Sequence, residues 1–218
     1  ASSAAIGLGD EASIWMRKAQ LLFDAGGLNQ AFGERALADG VHLDYPMLNP
    51  LLQVWTFAHA RALLWVEPRF PIQVFALGLV LAQAAALRRV LRSGAAAVLL
   101  VLVYFVDQSL ELTYTATSDL MVALGVLVAA DAGVRCLQSR DEAWSRLSCL
   151  ALAFTVGSKN EGAFLLLCCF LAAGSCTFFS RATRHRPRLR DLAWVALPLL
   201  VLGAGWLTNL RSGFRNDL

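Results

Sequence analysis

From residue 70 onward the chain alternates long apolar runs with short charged connectors, whereas the first 68 residues interleave apolar and polar positions at helical spacing. A helix needs about 17–25 mostly apolar residues to cross a bilayer core of about 30 Å. Segments 70–87, 94–112, 120–134, 162–179 and 192–210 fit that need, with a shorter run at 144–156. Each is expected to be a helix, because lipid offers no water to open backbone groups.

Two amphipathic stretches precede these runs. In GDEASIWMRKAQLLFDAGG, apolar Ile14, Ala19, Leu21, Leu22 and Phe23 surround Arg17 and Lys18, and the pattern stops at Gly26-Gly27. This predicts a short helix with Asp10 or Glu11 at its N-terminal end, where negative charge is favoured. The stretch 45–68, YPMLNPLLQVWTFAHARALLWVEP, is long enough to span but carries Asn49, Gln53, Thr56, His59 and Arg61. A charge at mid-bilayer costs about 2.5–3.5 kcal/mol even on insertion scales, so this stretch is expected to lie at the outer interface as an amphipathic helix. The placement puts Asp10 on the same face as Asp119 and Lys159.

The predicted fold class is therefore all-α: a polytopic transmembrane helical bundle with N-terminal interfacial helices. Residues 1–68 form the first outer loop, and residues 69–218 form a bundle of about six helices. Composition agrees: 57% hydrophobic residues and a mean hydropathy of +0.56 exceed what soluble domains carry, and 16% charged residues fall short of it. The net charge of +3 matters through its placement. Arg88, Arg89 and Arg92, then Arg135, Arg140 and Arg146, then the arginines of 181–190 occupy one set of connectors, while the other set holds Lys159, Arg211 and Arg215. The first set is expected to be cytoplasmic, with RATRHRPRLR touching anionic lipid; a nucleic-acid partner is not indicated. Five cysteines without CxxC spacing give no disulfide framework.

Several polar groups interrupt this apolar background. VGSKNEGAFLLLCCF, residues 156–170, sets Lys159, Asn160 and Glu161 between two apolar runs. Either Lys159 and Glu161 pair to solubilise a turn, or the lysine holds an anion such as phosphate at the interface. Asp107 and Glu111 lie one helical turn apart, and Asp119 opens the next run. Asp10 is open to two readings, an N-cap or a chemical group; Asp44, shortly before Pro46 and Pro50, is open to the same question as a solvated turn acid. Asp131 and Arg135, spaced i,i+4, need only a structural explanation. His42, His59 and His185 lack metal-ligand spacing, and no P-loop, GxGxxG or GxSxG occurs.

Taken in order, these residues resemble the GT-C superfamily of membrane glycosyltransferases, which includes bacterial relatives of the protein O-mannosyltransferases and the aminoarabinose transferases. Asp10-Glu11 match the acid pair of the first outer loop. Asp44 with Tyr45-Pro46-Met47-Leu48 and Asn49-Pro50-Leu51 matches the proline segment, Ser118-Asp119-Leu120-Met121 an acid at a helix start, and Ser158-Lys159-Asn160-Glu161-Gly162 a turn of the form KNEG. Tyr45 stands where histidine is usual and Met47 where the second proline is usual. The family's first transmembrane helix and C-terminal portion have no counterpart, so a piece of a longer protein is expected.

The resemblance implies transfer of a sugar from a polyprenyl-phosphate-linked donor to a lipid, glycan or protein acceptor on the periplasmic face of a bacterial inner membrane. Asp10 would be the general base, with Glu11 beside it, and Asp44, Tyr45, Asp119, Lys159, Asn160 and Glu161 would bind substrate. Lys159 would neutralise the departing phosphate. Sugar, acceptor and any divalent cation are left open. One alternative is a transporter or lipid-handling protein with a proton or cation path through Asp107 and Glu111, although no inverted repeat is visible. Another is a fold without activity.

Overall fold

A computed structural model of the protein describes residues 11–43, 45–63, 69–91, 93–104, 117–139, 141–179 and 189–211. Among them all regular structure is helical, as the all-α expectation requires.

A wide π-helical turn, Glu11–Met16, leads into α1 (Arg17–Asp24). The stop falls where the sequence puts it: Gly26 and Gly27 have φ of 69° and 145°, a region that glycine enters without steric cost. The sequence reading has no element between Gly27 and Asp44, yet α2 (Gln30–Ala38) forms there. Its signal is the N-cap: Asn29 accepts from the Phe32 amide at 3.0 Å, the usual role of asparagine at that position. Leu21, Leu22, Phe32, Ala36, Val41 and Leu43 form a common core with α3 (Leu48–Ala60) packed on it through Val54. Phe23 meets Phe57 edge to face at 5.6 Å.

The long interfacial helix expected over 45–68 is shorter in the structure. Helix α3 begins after Pro46 and ends at Arg61, whose φ of 54° is left-handed. At 1.5 Å per residue its 13 residues extend about 20 Å, too short for a bilayer core of about 30 Å. Nor do its polar residues all face outward. His59 and Arg61 are exposed, but Asn49 and Gln53 are fully buried.

Among the described residues six further helices follow: α4 (Phe70–Val90), α5 (Ser93–Tyr104), α6 (Asp119–Ser139), α7 (Glu142–Ser158), α8 (Glu161–Phe179) and α9 (Leu189–Arg211). Two of them, α4 and α6, are long and apolar enough to cross a membrane; shorter apolar helical stretches lie at Gly94–Val103, Glu161–Leu171 and Trp194–Leu207. The helices correspond to the six predicted segments, with α7 starting earlier than the sequence run. The C-terminal half of segment 94–112, with Asp107 and Glu111, lies outside the described residues.

Packing fixes the direction of each helix. Ile72 of α4 clusters with Leu120 and Met121 of α6 at one end, and Arg89 pairs with Asp131 at the other, so these two run parallel. Helix α7 returns against α6, with Ser148 donating to the Ala129 carbonyl at 2.9 Å. Helix α9 lies along α7 through Val201, packed on Ala151, Leu152 and Val156. The connector charges separate accordingly. Arg89, Asp131, Arg135, Glu142 and Arg146 gather at one end, where Arg135 also lies 4.3 Å over the Trp144 ring. Asp119, Lys159 and Glu161 gather at the other.

Two glycines permit the closest approaches. A β-carbon on Gly125 would lie 3.2 Å from the Ala151 carbonyl oxygen and nearer still to Thr155 Oγ1. One on Gly162 would lie 2.7 Å from the Thr155 carbonyl carbon and 2.8 Å from Val156 Cα, with the Thr155 oxygen closer again. Backbone cannot yield as a flexible side chain can, so Gly162 is what lets α8 start directly against the last turns of α7. Gly162→Ala is expected to destabilise the fold by about 1–3 kcal/mol, the usual cost of forcing atoms into a packed site. Detergent-denaturation midpoints of native and variant protein measure the loss; an unchanged midpoint contradicts the close approach.

Candidate functional site

The end of the bundle that carries Asp119 is where the predicted site residues converge. Helix α7 stops at Ser158, Lys159 is extended (φ −159°, ψ 152°), and α8 begins two residues later. The turn closes on itself, with the Gly162 amide donating to the Lys159 carbonyl at 2.9 Å and the Ala163 amide to the Asn160 carbonyl at 3.0 Å. From this extended position Lys159 donates to Asp119 Oδ1 at 2.9 Å and lies 3.3 Å from Glu161 Oε1. Both acids sit in the first turn of a helix, where the backbone dipole favours negative charge.

The lysine side chain is 18% exposed, against 46% for Asp119 and 58% for Glu161. Burial alone would lower the Lys159 pKa. The hydrogen bond and charge of Asp119, with the same from Glu161, outweigh that and hold the ammonium above its ordinary value of 10.5. An ammonium has three N–H donors, of which these two carboxylates engage two.

A second lysine, overlooked in the sequence, organises the neighbouring loop. The chain contains only two, Lys18 and Lys159. Lys18 is fully buried, and its ammonium donates to the carbonyls of His42, Leu43 and Tyr45 at 3.1, 3.3 and 2.6 Å. It thereby fixes the turn that presents Tyr45, whose ring also meets Trp15 at 5.4 Å and His42 at 5.7 Å, both edge to face. Local periodicity assigns Lys18 to the polar stripe with Arg17. Arg17 does reach outward to Asp39, but Lys18 turns in. The available signal was scarcity: a chain that otherwise uses arginine for its cations keeps lysine at just two positions.

Beside this loop, Asn49 of α3 donates to Ser118 Oγ at 3.1 Å and accepts from Gln53 at 2.9 Å. All three residues are fully buried. Ser118 immediately precedes Asp119, and its carbonyl accepts from the Val122 amide to start α6.

Next to the α7–α8 turn is an apolar cavity of about 700 Å³. Tyr45, Met47 and Leu51 line it from the α3 side, Asn160 from the turn, and Val201 and Trp206 from α9. The structure thus assembles Asp119, Lys159 and Glu161 as one ion cluster and places Tyr45 and Asn160 on the cavity. The two groups share the turn, with Gly157 and Asn160 on the cavity and Lys159 and Glu161 in the cluster. Glu11 opens the π-helical turn, while Asp10 and Asp44 lie outside the described residues.

Comparison with family models, with curated proteins and with solved structures gives no match.

The raised pKa of Lys159 carries a sign for stability. A group whose folded value exceeds its unfolded value stabilises fully below the unfolded value, 10.5, and loses that contribution as pH rises through the folded one. Native protein is therefore expected to lose an increment of thermal stability above pH 10.5 that Lys159→Met lacks. Unfolding midpoints of the two proteins across that alkaline range test this. Parallel curves would mean that the ion cluster adds nothing.

Proposed function

We propose that this protein is an outer-face glycosyltransferase of the GT-C type that takes its sugar from a polyprenyl-phosphate-linked donor. The observation that carries the reading is the junction at the α7–α8 turn, where a cation held in a carboxylate cluster adjoins an apolar cavity of about 700 Å³. A lipid phosphate needs both elements: an apolar surface for its chain and a positive group at the interface. Two helices long and apolar enough to cross a membrane support a membrane setting. The segregation of arginine-bearing connectors from the Lys159 end supports the finer reading of a polytopic bundle in a bacterial inner membrane, with that end periplasmic.

The chemistry of the cluster narrows the role of each residue. With all three groups ionised, Asp119, Lys159 and Glu161 sum to one negative charge, so an arriving phosphate must displace a carboxylate. Glu161 is the one to leave, being the more exposed and the more distant at 3.3 Å. Asp119 stays to hold the ammonium, and the phosphate takes the vacated donor as the sugar–phosphate bond breaks. Asn160 and Tyr45 line the cavity beside the reacting end. Asp10 acts as base on the acceptor hydroxyl and Glu11 supports it, as the sequence resemblance implies; Asp44 completes the acidic set on the same ground. The transporter reading rests on Asp107 and Glu111, and no observation among the described residues favours it.

The test is sugar transfer from a polyprenyl-phosphate donor in membranes carrying the full-length protein. Lys159→Met is expected to lower turnover at least tenfold, since one displaced charge contact of about 1.4 kcal/mol gives that factor. Ala163→Phe, which fills the cavity, is expected to raise the donor KM with the cluster intact. Undiminished turnover in Asp10→Asn removes Asp10 from the mechanism, and no transfer by native membranes with any polyprenyl-phosphate sugar overturns the proposal.

A further inference from the structure

The buried amides of α3, expected from the sequence to face the interface, instead end on the residue next to the ion cluster. A fully buried polar side chain in an otherwise apolar contact is costly unless it is partnered, so its partner specifies the register of the two elements that meet. Here the chain runs from Gln53 through Asn49 to Ser118, with bonds of 2.9 and 3.1 Å, and the Gln53 Oε1 oxygen is buried without a partner among the described residues. Ser118 occupies the capping position of α6, where a serine hydroxyl ordinarily serves its own helix. In this protein that hydroxyl reaches across to α3. The first turn of α6, and with it Asp119, is set from outside the helix.

We propose that Asn49 is a positioning residue for the Asp119–Lys159 pair, transmitting the seating of α3 to the ion cluster through Ser118. The geometry gives α3 two roles at once. The cavity-lining Tyr45, Met47 and Leu51 lie at and just before its N-terminal end, and Asn49, in the same first turn, holds the start of α6. A displacement of α3 on the cavity side is therefore felt at Asp119, and Lys159 follows because its strongest contact is the 2.9 Å bond to that carboxylate. The positioning stands on geometry alone; its bearing on phosphate binding rests on the function proposed above.

Lys18 is fully buried, and Lys159 lies in a different peptide, so the readout at Lys159 is specific. In full-length protein in nanodiscs, acylation of Lys159 by an amine reagent is followed by peptide mass spectrometry at one fixed alkaline pH. Asp119→Asn defines the upper limit, expected at severalfold faster modification, because the ammonium loses the carboxylate that holds its proton. Asn49→Leu, close in size but without the amide, is expected to reach a substantial fraction of that limit with the unfolding midpoint still measurable. Ser118→Ala removes the same bond from its other side and serves if Asn49→Leu does not fold. Ser148→Ala, which removes the α6–α7 bond to the Ala129 carbonyl away from the ion cluster, is expected to lower the midpoint and leave Lys159 modification unchanged.

The proposal is overturned if Asp119→Asn accelerates modification while both Asn49→Leu and Ser118→Ala match native protein. It is equally overturned if Ser148→Ala accelerates it as much as they do. Binding of undecaprenyl phosphate, measured on the same samples, separates the two claims. Faster modification in Asn49→Leu together with no binding by native protein supports the positioning and removes only the transferase reading. Binding by native protein that weakens severalfold in Asn49→Leu supports both.

Discussion

Lys159 has lost most of its contact with water and keeps its charge because Asp119 stands 2.9 Å from its ammonium. That one contact ties the beginning of α6 to the end of α7, forty residues apart in the chain. Helices that meet mainly through apolar side chains are held in no one register, because apolar contact is not directional. A charged pair at the end of such a bundle removes this freedom. It sets the depth of α6 against α7, and the two-residue turn then sets α8.

The remaining order comes from small residues and a few amides rather than from bulky interlocking cores. Gly125 brings α6 and α7 together at Thr155, Gly162 seats α8 on α7, and Ser148 bonds across to Ala129. The N-terminal helices use a different principle. Leu21, Leu22 and Phe32 bury a conventional apolar core, and Lys18 gathers three carbonyls of the following loop. Asn49 is the bridge between the two styles of packing. It belongs to the helical layer built on α1 and α2, yet its amide is spent on the residue just before the bundle helix that carries Asp119.

Much of the helical outline was legible in the sequence because long apolar runs leave the backbone no alternative to a helix. The stop at Gly26-Gly27 and the restart at Asp119 were visible for similarly local reasons. Helix α2 was not, since its cap, Asn29, lies in a polar stretch whose apolar positions are sparse. Of the site, the pairing of Lys159 with Glu161 could be read from adjacency, but its stronger bond to Asp119 requires knowing that α6 and α7 run antiparallel. Asn49 and Gln53 were misread for a physical reason. Polarity on a helix otherwise suited to an interface argues for water, and only tertiary contact reveals that both amides have turned to protein. Lys18 escaped in the same way, its periodicity identical to that of the outward-facing Arg17.

The placement of Lys18 has a further consequence for how the chain is made. Its carbonyl partners lie 24 to 27 residues downstream, so the ammonium emerges from the ribosome before they do. Until Tyr45 has emerged, that charge must stay hydrated, and α1 cannot settle into its final surroundings. Assembly of the N-terminal layer is thus timed by synthesis of a loop rather than by the helix itself, and it is complete only shortly before the first long apolar helix follows.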